Sequence, residues 1–494
     1  MSHRVVSPMP ESNGARLPRL TAVSSILVWS LFLAASVLLA WSVTRAEPVW
    51  QGPMLLIDGL TIVLWLAVSF FSGIVHVFSR RYMAGTRRIG LFFARLLAFT
   101  VCAAAFVAAN HLLLMTLAWL GMGLIMAGLI GHVEGWRQAQ TAKTFARRRF
   151  LLSAALLASG FALLGWLGGS WNIVEVLSWL ASTEAPAALA LVAVLLIAAA
   201  AIQCALIPMH TWLLSSMTAP TPASALMHAG FVNGGGVLLT RFAPVFGVVE
   251  WSLTLLLVLG AVSAIAGKVL KSLQPEVKRQ LGCSTIGQMG FMLMQAGLGF
   301  FSAAITHLIL HGCYKAYLFL GVGERLHHHT PRAHRKAPPI TRFSSLIAGL
   351  ALGVVGGWLF LVLTGKGLTG DTGLLLGLFV GLTVLHSTRD VLGDLSLPTA
   401  VRMLGVPLTF FPLIVIYALV FNGVRGVIGG LPGVDHPAAL SPVHFVVGSV
   451  FVMGYAVIEL GWHQNLAWLY VKLINLSQPA ADTATVMKRE YYAY

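Results

Sequence analysis

Runs of about twenty apolar residues, the length that crosses roughly 30 Å of hydrocarbon, recur along nearly the whole of this 494-residue chain. About fourteen candidate spans fall near 22–43, 55–79, 89–109, 111–130, 150–168, 187–207, 222–242, 251–270, 281–299, 301–322, 342–363, 373–388, 402–422 and 443–462. The chain therefore reads as an all-α polytopic membrane protein without strands, and with 57% hydrophobic and 10% charged residues it leaves no room for a soluble domain. The first span is long and lacks a small-residue cleavage site, so it is expected to remain as an anchor.

A net charge of +16 in a soluble protein would point to nucleic acid, but here the basic residues gather in alternate loops. They are Arg80, Arg81, Arg87 and Arg88; Arg137, Lys143 and Arg147 to Arg149; Lys271, Lys278 and Arg279; and the segment from Arg325 to Lys336. Intervening loops, such as 169–186, carry almost none. The positive-inside rule then places the N-terminus, the basic loops and the C-terminal tail in the cytoplasm of a bacterial cell with the chain in its inner membrane. Cys102, Cys204, Cys283 and Cys313 are scattered without C-x-x-C spacing and read as packing residues. No Gly-rich phosphate loop is present, and no cofactor or metal is expected in this chain.

In hydrocarbon the informative residues are the polar ones. His307, His311 and Lys315, spaced by four within 301–322, lie on one helix face. Such a stripe can pass protons, since imidazole titrates near neutrality; a hydrogen-bonded seam between helices is the other reading. A second set surrounds Pro208, His210, Trp212, Pro220, Pro222, Ser224 and His228. Its prolines interrupt a hydrophobic stretch and free carbonyls at membrane depth, a feature of ion sites in transporters. Asn233 and Gly234 to Gly236 follow, as a close helix contact or a hinge. A third set runs from Lys268 and Lys271 through Glu276, Lys278 and Arg279 to Ser284, Thr285 and Gln288. Lys268 lies either within its span or snorkels to the interface.

These sets carry a resemblance. Pro208-Met-His-Thr-Trp-Leu and Pro220-Thr-Pro-Ala-Ser-Ala-Leu-Met-His228, Glu276-Val-Lys-Arg-Gln-Leu-Gly-Cys-Ser284-Thr-Ile-Gly-Gln288, and His307-x3-His311-x3-Lys315-Ala-x-Leu-Phe-Leu resemble stretches of the proton-conducting, antiporter-like subunits of the NADH dehydrogenase subunit 5 and Mrp superfamily. Ile57-Asp58-Gly-Leu-Thr and Asn110-His-Leu-Leu-Leu-Met resemble two earlier landmarks, so the likeness covers roughly 55–325. It implies two inverted five-helix repeats with broken helices around a hydrated polar row. His228, His307, His311 and Lys315 become the proton or cation relay, with Lys268, His210, His386, Asp390 and Glu459 as secondary candidates; Arg389 is a further candidate beside Asp390, the alternative being that the two form a loop pair. The implied organisation is a cytoplasmic segment 1–21, N-terminal helices 22–86, a channel core 87–340, divergent helices 341–462 and a cytoplasmic tail 463–494.

Two departures narrow the reading. The family's glutamate and lysine of the first repeat fall on Leu120 and Gln203. The residues beyond the last predicted span are also too few for the lateral helix of the large respiratory subunit. A chain with these departures resembles the membrane subunit of the two-component DAB inorganic-carbon accumulation systems. That resemblance implies a large cytoplasmic (DabA-like) partner with a carbonic-anhydrase-like zinc site, driven by proton or sodium flow to convert CO2 to bicarbonate. The alternatives are a subunit of a multi-subunit cation/proton antiporter or of a respiratory dehydrogenase- or hydrogenase-type pump, and a non-conducting scaffold. His327 to His329 read as part of a basic loop rather than a metal site, and the tail from Ala480 to Tyr494 as a docking peptide or disorder.

Overall fold

The computed structural model describes residues 18–42, 48–182, 187–322, 339–366, 370–393, 399–437, 439–459, 467–480 and 483. The helices are α1 (Arg19–Ser42), α2 (Gly59–Tyr82), α3 (Ile89–Ala108), α4 (Leu112–Ile130), α5 (Arg137–Gly168), α6 (Ile173–Ser182) and α7 (Ala188–Gln203). Next come α8 (Thr211–Ser215), α9 (Thr221–Ala229), α10 (Gly234–Arg241), α11 (Ala243–Val248), α12 (Trp251–Ser272), α13 (Val277–Gly297) and α14 (Phe301–Leu320). The last group is α15 (Pro339–Thr364), α16 (Gly373–Gly393), α17 (Thr399–Ile428), α18 (Pro442–Glu459) and α19 (Ala467–Leu476).

Helix underlies each predicted span, and among the described residues eight helices are long and apolar enough to cross a membrane on their own. The differences are instructive. The expected strandless chain contains one small antiparallel pair, Trp50–Gln51 with Leu56–Ile57, closing the approach to α2. The charge-poor loop 169–186 holds α6, whose Ile173, Val176 and Leu180 are buried at a three-to-four spacing. The predicted span 150–168 is only the second half of a 32-residue helix, because the basic residues from Arg137 to Arg149 mask the helicity of its first half from a hydropathy window. Cys313 is exposed on α14, so it is not a packing residue as expected; Cys204 and Cys283 are buried.

The predicted span 222–242 is broken. α9 ends at Ala229 with Gly230 as its cap, residues Phe231–Asn233 form a single 3-10 turn, and α10 resumes at Gly234. Carbonyls freed at this break and at the end of α7 are satisfied by side chains, as membrane depth requires. Trp212 Nε1 donates to Ile202 O at 2.8 Å, and Asn233 Nδ2 donates to Ala229 O at 2.7 Å. Gln203 Nε2 reaches Phe231 O at 3.4 Å. The glycine run serves close contact: a Cβ on Gly235 would lie 2.4 Å from Cys204 Sγ and 2.9 Å from Ala200 O.

Connectivity defines two ends of the bundle. The Tyr82 hydroxyl lies 3.1 Å from Thr221 Oγ1, and Lys278 Nζ donates to Ala219 O at 3.2 Å, so the basic turns after α2 and α12 share one end. At the other end Phe301 N donates to Val434 O at 3.0 Å and Thr372 Oγ1 to Leu298 O at 2.7 Å. Ala480 and Thr483 are docked at the basic end, where Ala480 N donates to Ser215 Oγ at 3.2 Å and Thr483 Oγ1 lies 2.9 Å from the same oxygen. The histidine run at 327–329 and the tail from 484 lie outside the described residues.

Candidate functional site

The core of the site is where α9, α13 and α14 meet. His307, His311 and Lys315 rise along one face of α14 at intervals of four, His311 and Lys315 buried and His307 at the wall of a cavity. Gly312 makes the meeting possible: a Cβ there would lie 2.5 Å from the Phe71 ring and 3.0 Å from Ala229 O. That absence of a side chain lets α14 approach the helix that carries His228. Gly312→Val is therefore expected to force α14 outward and abolish relay-dependent transport, with a stability loss of about 1–3 kcal/mol from overpacking. Transport assays and thermal aggregation of the solubilised protein check both parts.

His228, fully buried, lies face to face with Phe319 at 4.3 Å between ring centroids. Its Nδ1 is 2.9 Å from Thr285 Oγ1, and that hydroxyl also reaches Leu281 O at 3.0 Å. Lys315 Nζ donates to the same carbonyl at 2.8 Å. His228, Thr285, Leu281 and Lys315 thus form one contiguous polar chain linking α9, α13 and α14. If the threonine proton is given to Leu281 O, His228 Nδ1 is the donor to Thr285, and Nε2 is a bare acceptor. Nε2 of His228, His307 and His311 all lack a hydrogen-bond partner among the described residues.

The His307 and His311 rings lie 5.8 Å apart and nearly parallel, at 17°. Two unit charges at about that distance repel by roughly 3 kcal/mol at an effective dielectric near 20, a factor of about a hundred in population. Among the described residues the charged side chains that act on the row are Lys271 and Lys278, both positive. Such a row is disfavoured from holding a proton on every site at once.

His307 opens into a cavity of about 590 Å³ between α12, α13, α14 and the C-terminal helices. Lys268, Lys271, Ser284, Gln288, Gln295 and Tyr417 supply its polar lining, and Gln295 Oε1 has no hydrogen-bond partner among the described residues. The rest of the lining is apolar, and the cavity's size together with these scattered polar groups leaves room for several waters. The first half differs. Its cavity is about 40 Å³ and lined by Phe71, Phe99, Phe106 and Met122, and Gln203 serves the backbone break instead of an ion.

Of the secondary candidates, Lys268 stands at the cavity and His386 packs edge-on against Tyr455, which also lines it, at 6.1 Å. His210 is held apart: its Nε2 donates to Leu476 O at 2.8 Å, fastening α19 to the broken segment. The side chains of Asp390 and Glu459 lie outside the described residues. Sequence reasoning missed Lys366, which is 3% exposed, and Asp435 beside it. It missed too the buried pair of Arg241 with Asp58, in which Arg241 Nη2 also donates to Thr61 Oγ1 at 3.1 Å.

Comparison with known proteins agrees with this geometry. Residues 109–352 match the family described as NADH:quinone oxidoreductase/Mrp antiporter, TM, and residues 53–93 match the N-terminus of NADH-ubiquinone oxidoreductase (complex I) chain 5. The chain is 36% identical over 366 residues to a probable inorganic carbon transporter subunit, DabB1, of Halothiobacillus neapolitanus. That match covers 70% of this chain and 64% of the relative's length. It is 29% identical over 415 residues to the probable inorganic carbon transporter subunit DabB of Hydrogenovibrio crunogenus, covering 82% of this chain and 76% of that one. In fold it is similar to a chain of the Mrp complex from Dietzia sp., with TM-score 0.62 and 23% identity over 93% of this chain and 57% of that one. A chain of an archaeal membrane-bound sulfane sulfur reductase gives TM-score 0.58 and 17% identity, with 94% of each chain covered. Together the two family matches span more than half of the sequence and include every residue of the His–Lys row. This multi-pass membrane chain belongs to the antiporter-like superfamily that includes NADH dehydrogenase chain 5 and the Mrp antiporters.

Proposed function

We propose that the chain is the membrane energy-coupling subunit of an inorganic-carbon accumulation system, conducting protons whose flow drives hydration of CO2 to bicarbonate by a cytoplasmic partner. The observation that carries this reading is the hydrogen-bonded sequence of polar groups from His228 through Thr285 and Leu281 O to Lys315, with His311 and His307 on the same helix face leading to a large cavity that carries two lysines and several polar side chains. Imidazole and amine groups exchange protons, whereas a hard metal cation such as sodium calls for a cage of oxygen ligands. That favours protons. The inorganic-carbon assignment is supported by the likeness to relatives described as inorganic carbon transporter subunits. The dry first half, with Leu120 and Gln203 at the charged positions of the family, supports a single relay per chain.

In this reading the basic turns face the cytoplasm, and the relay's Lys315 end stands beside them. The partner is a large cytoplasmic DabA-like subunit that holds the zinc; among the described residues of this chain no group of His, Cys, Asp and Glu could hold a metal ion. The test is to isolate the tagged chain from its own membranes in mild detergent and identify its companions. The expected result is one large soluble subunit with about one zinc, and uptake of labelled inorganic carbon that collapses when a protonophore is added. Several small hydrophobic companions without zinc would place the chain in an antiporter instead. Iron–sulfur or flavin proteins would place it in a redox pump.

A further inference from the structure

The small cavity of the first half has no part in the relay, yet its size and lining are specific. It lies where α2, α3 and α4 face the helix break, and its volume is about 40 Å³. One water needs roughly 10–15 Å³ by the same measure, so the space suits a molecule of about three heavy atoms. Water itself is a poor occupant, because a buried water calls for about two to four polar partners. The side chains lining the cavity offer one. Asn233, 3% exposed, donates from Nδ2 to Ala229 O, while its Oδ1 has no hydrogen-bond partner among the described residues.

The position of the cavity ties it to the relay. Ala229, Gly230 and Gly234 of the break form one wall, and Leu308 of α14 belongs to another. Ala229 follows His228 and Leu308 follows His307, so a guest touches the neighbours of two relay histidines at once. Atoms that line a void forgo dispersion contacts. A guest that restores them favours the arrangement of α9 and α14 in which both walls close on it.

We propose that this cavity is a binding site for molecular CO2 drawn from the bilayer, and that its occupancy braces the helix break so that the relay conducts when substrate is present. This rests on the inorganic-carbon reading above. CO2 is a rod of three heavy atoms, carries no charge and dissolves in hydrocarbon. Its electron-poor carbon suits the bare Asn233 Oδ1, as an oxygen lone pair meets a carbonyl carbon. Dioxygen and dinitrogen have no such centre. Bicarbonate is an anion, and among Phe71, Phe99 and Phe106 nothing offsets the cost of desolvating it.

The bland alternative is a packing defect beside the break. Ala103→Leu separates the two, because Ala103 lines the cavity and the change adds three carbon atoms, about what the space takes. First, the purified complex is cooled under CO2 pressure, with argon as control, and its structure determined. Rod-shaped density against Asn233 Oδ1 is expected under CO2 alone. Second, vesicles from native membranes are purged of CO2, matched for chain content and corrected with a deletion strain, and proton flux is followed by a pH-sensitive dye. The unaltered chain is expected to be nearly proton-tight and Ala103→Leu to conduct roughly tenfold faster, within the usual range of coupling between sites. Adding Lys315→Ala to Ala103→Leu should make the vesicles tight again, which shows that the flux runs through the relay and not through a misfolded chain. Ala67→Val, filling the cavity from α2, takes the place of Ala103→Leu if that variant does not accumulate. A cavity without CO2 density, an unaltered chain that already conducts when purged, or filled variants as tight as the unaltered chain each overturn the proposal; in the last case density means binding at high pressure only. If Lys315→Ala leaves uptake of labelled inorganic carbon intact, the relay reading itself falls, whatever the cavity holds.

Discussion

Lys315→Ala is expected to reduce proton-driven transport by roughly a hundredfold or more while the chain still inserts and assembles, the scale of effect that follows loss of a positioned proton-transfer group. Lys315 is fully buried, and among the described residues its one hydrogen bond from the side chain goes to Leu281 O. That carbonyl keeps the Thr285 hydroxyl when the lysine is gone, so no acceptor is orphaned. Alanine is the best helix former, and removing a buried cation relieves desolvation. Structure and transport should therefore part company in this variant. Lys315→Arg tests the chemistry directly: the charge stays, the exchangeable proton does not, and transport should be lost as completely. Uptake of labelled inorganic carbon, together with co-purification of the partner, decides the matter. Full uptake by the alanine variant in an intact complex would leave the chain a docking scaffold.

The His–Lys row was readable because helical spacing alone places residues four apart on one face, and the structure keeps His307, His311 and Lys315 there. The break near His228 was readable too, since prolines and glycines act locally. Lys366 was not. In sequence it sits between two glycines after an apolar run, as any loop lysine would. What makes it unusual is the convergence of Phe300, Phe360 and Phe421, which no local pattern announces. Arg241 shares this difficulty, because its partner Asp58 lies 183 residues away. His210 shows what the sequence pattern leaves out: its ring nitrogen ties down the last described helix, a contact 266 residues away in the chain. Gln203 was legible as a missing lysine, but its work on the Phe231 carbonyl appears only once the broken helix is seen.

The Asp58–Arg241 pair is expected to be the point at which single substitutions cost most stability. Both side chains are nearly inaccessible, at 7% and 3%, and the carboxylate additionally caps α2 by accepting from Thr61 N at 2.9 Å. Arg241 Nη2 donates to Asp58 Oδ1 at 3.1 Å and reaches Val107 O at 3.3 Å, so one guanidinium joins α10 to both α2 and α3. Removing one partner strands the other charge in the interior, which costs about 3–5 kcal/mol. Against a total stability of about 5–15 kcal/mol, Arg241→Met or Asp58→Ala should sharply reduce the amount of chain in the membrane and its resistance to thermal aggregation. Asp58→Ala carries a further loss of about 1 kcal/mol from the cap. The double variant Asp58→Asn with Arg241→Met leaves no charge and keeps a capping oxygen, and it should recover most of what Arg241→Met loses. The coupling between the two changes, read from a double-mutant cycle of aggregation temperatures, should be strongly favourable. Single variants as stable as the unaltered chain would mean that the pair is not closed in the membrane. Neither residue belongs to the His–Lys row, so the double variant is also expected to transport. If it is stable but inactive, then the tie between α2 and α10 positions His228, which lies on the other side of the same helix break.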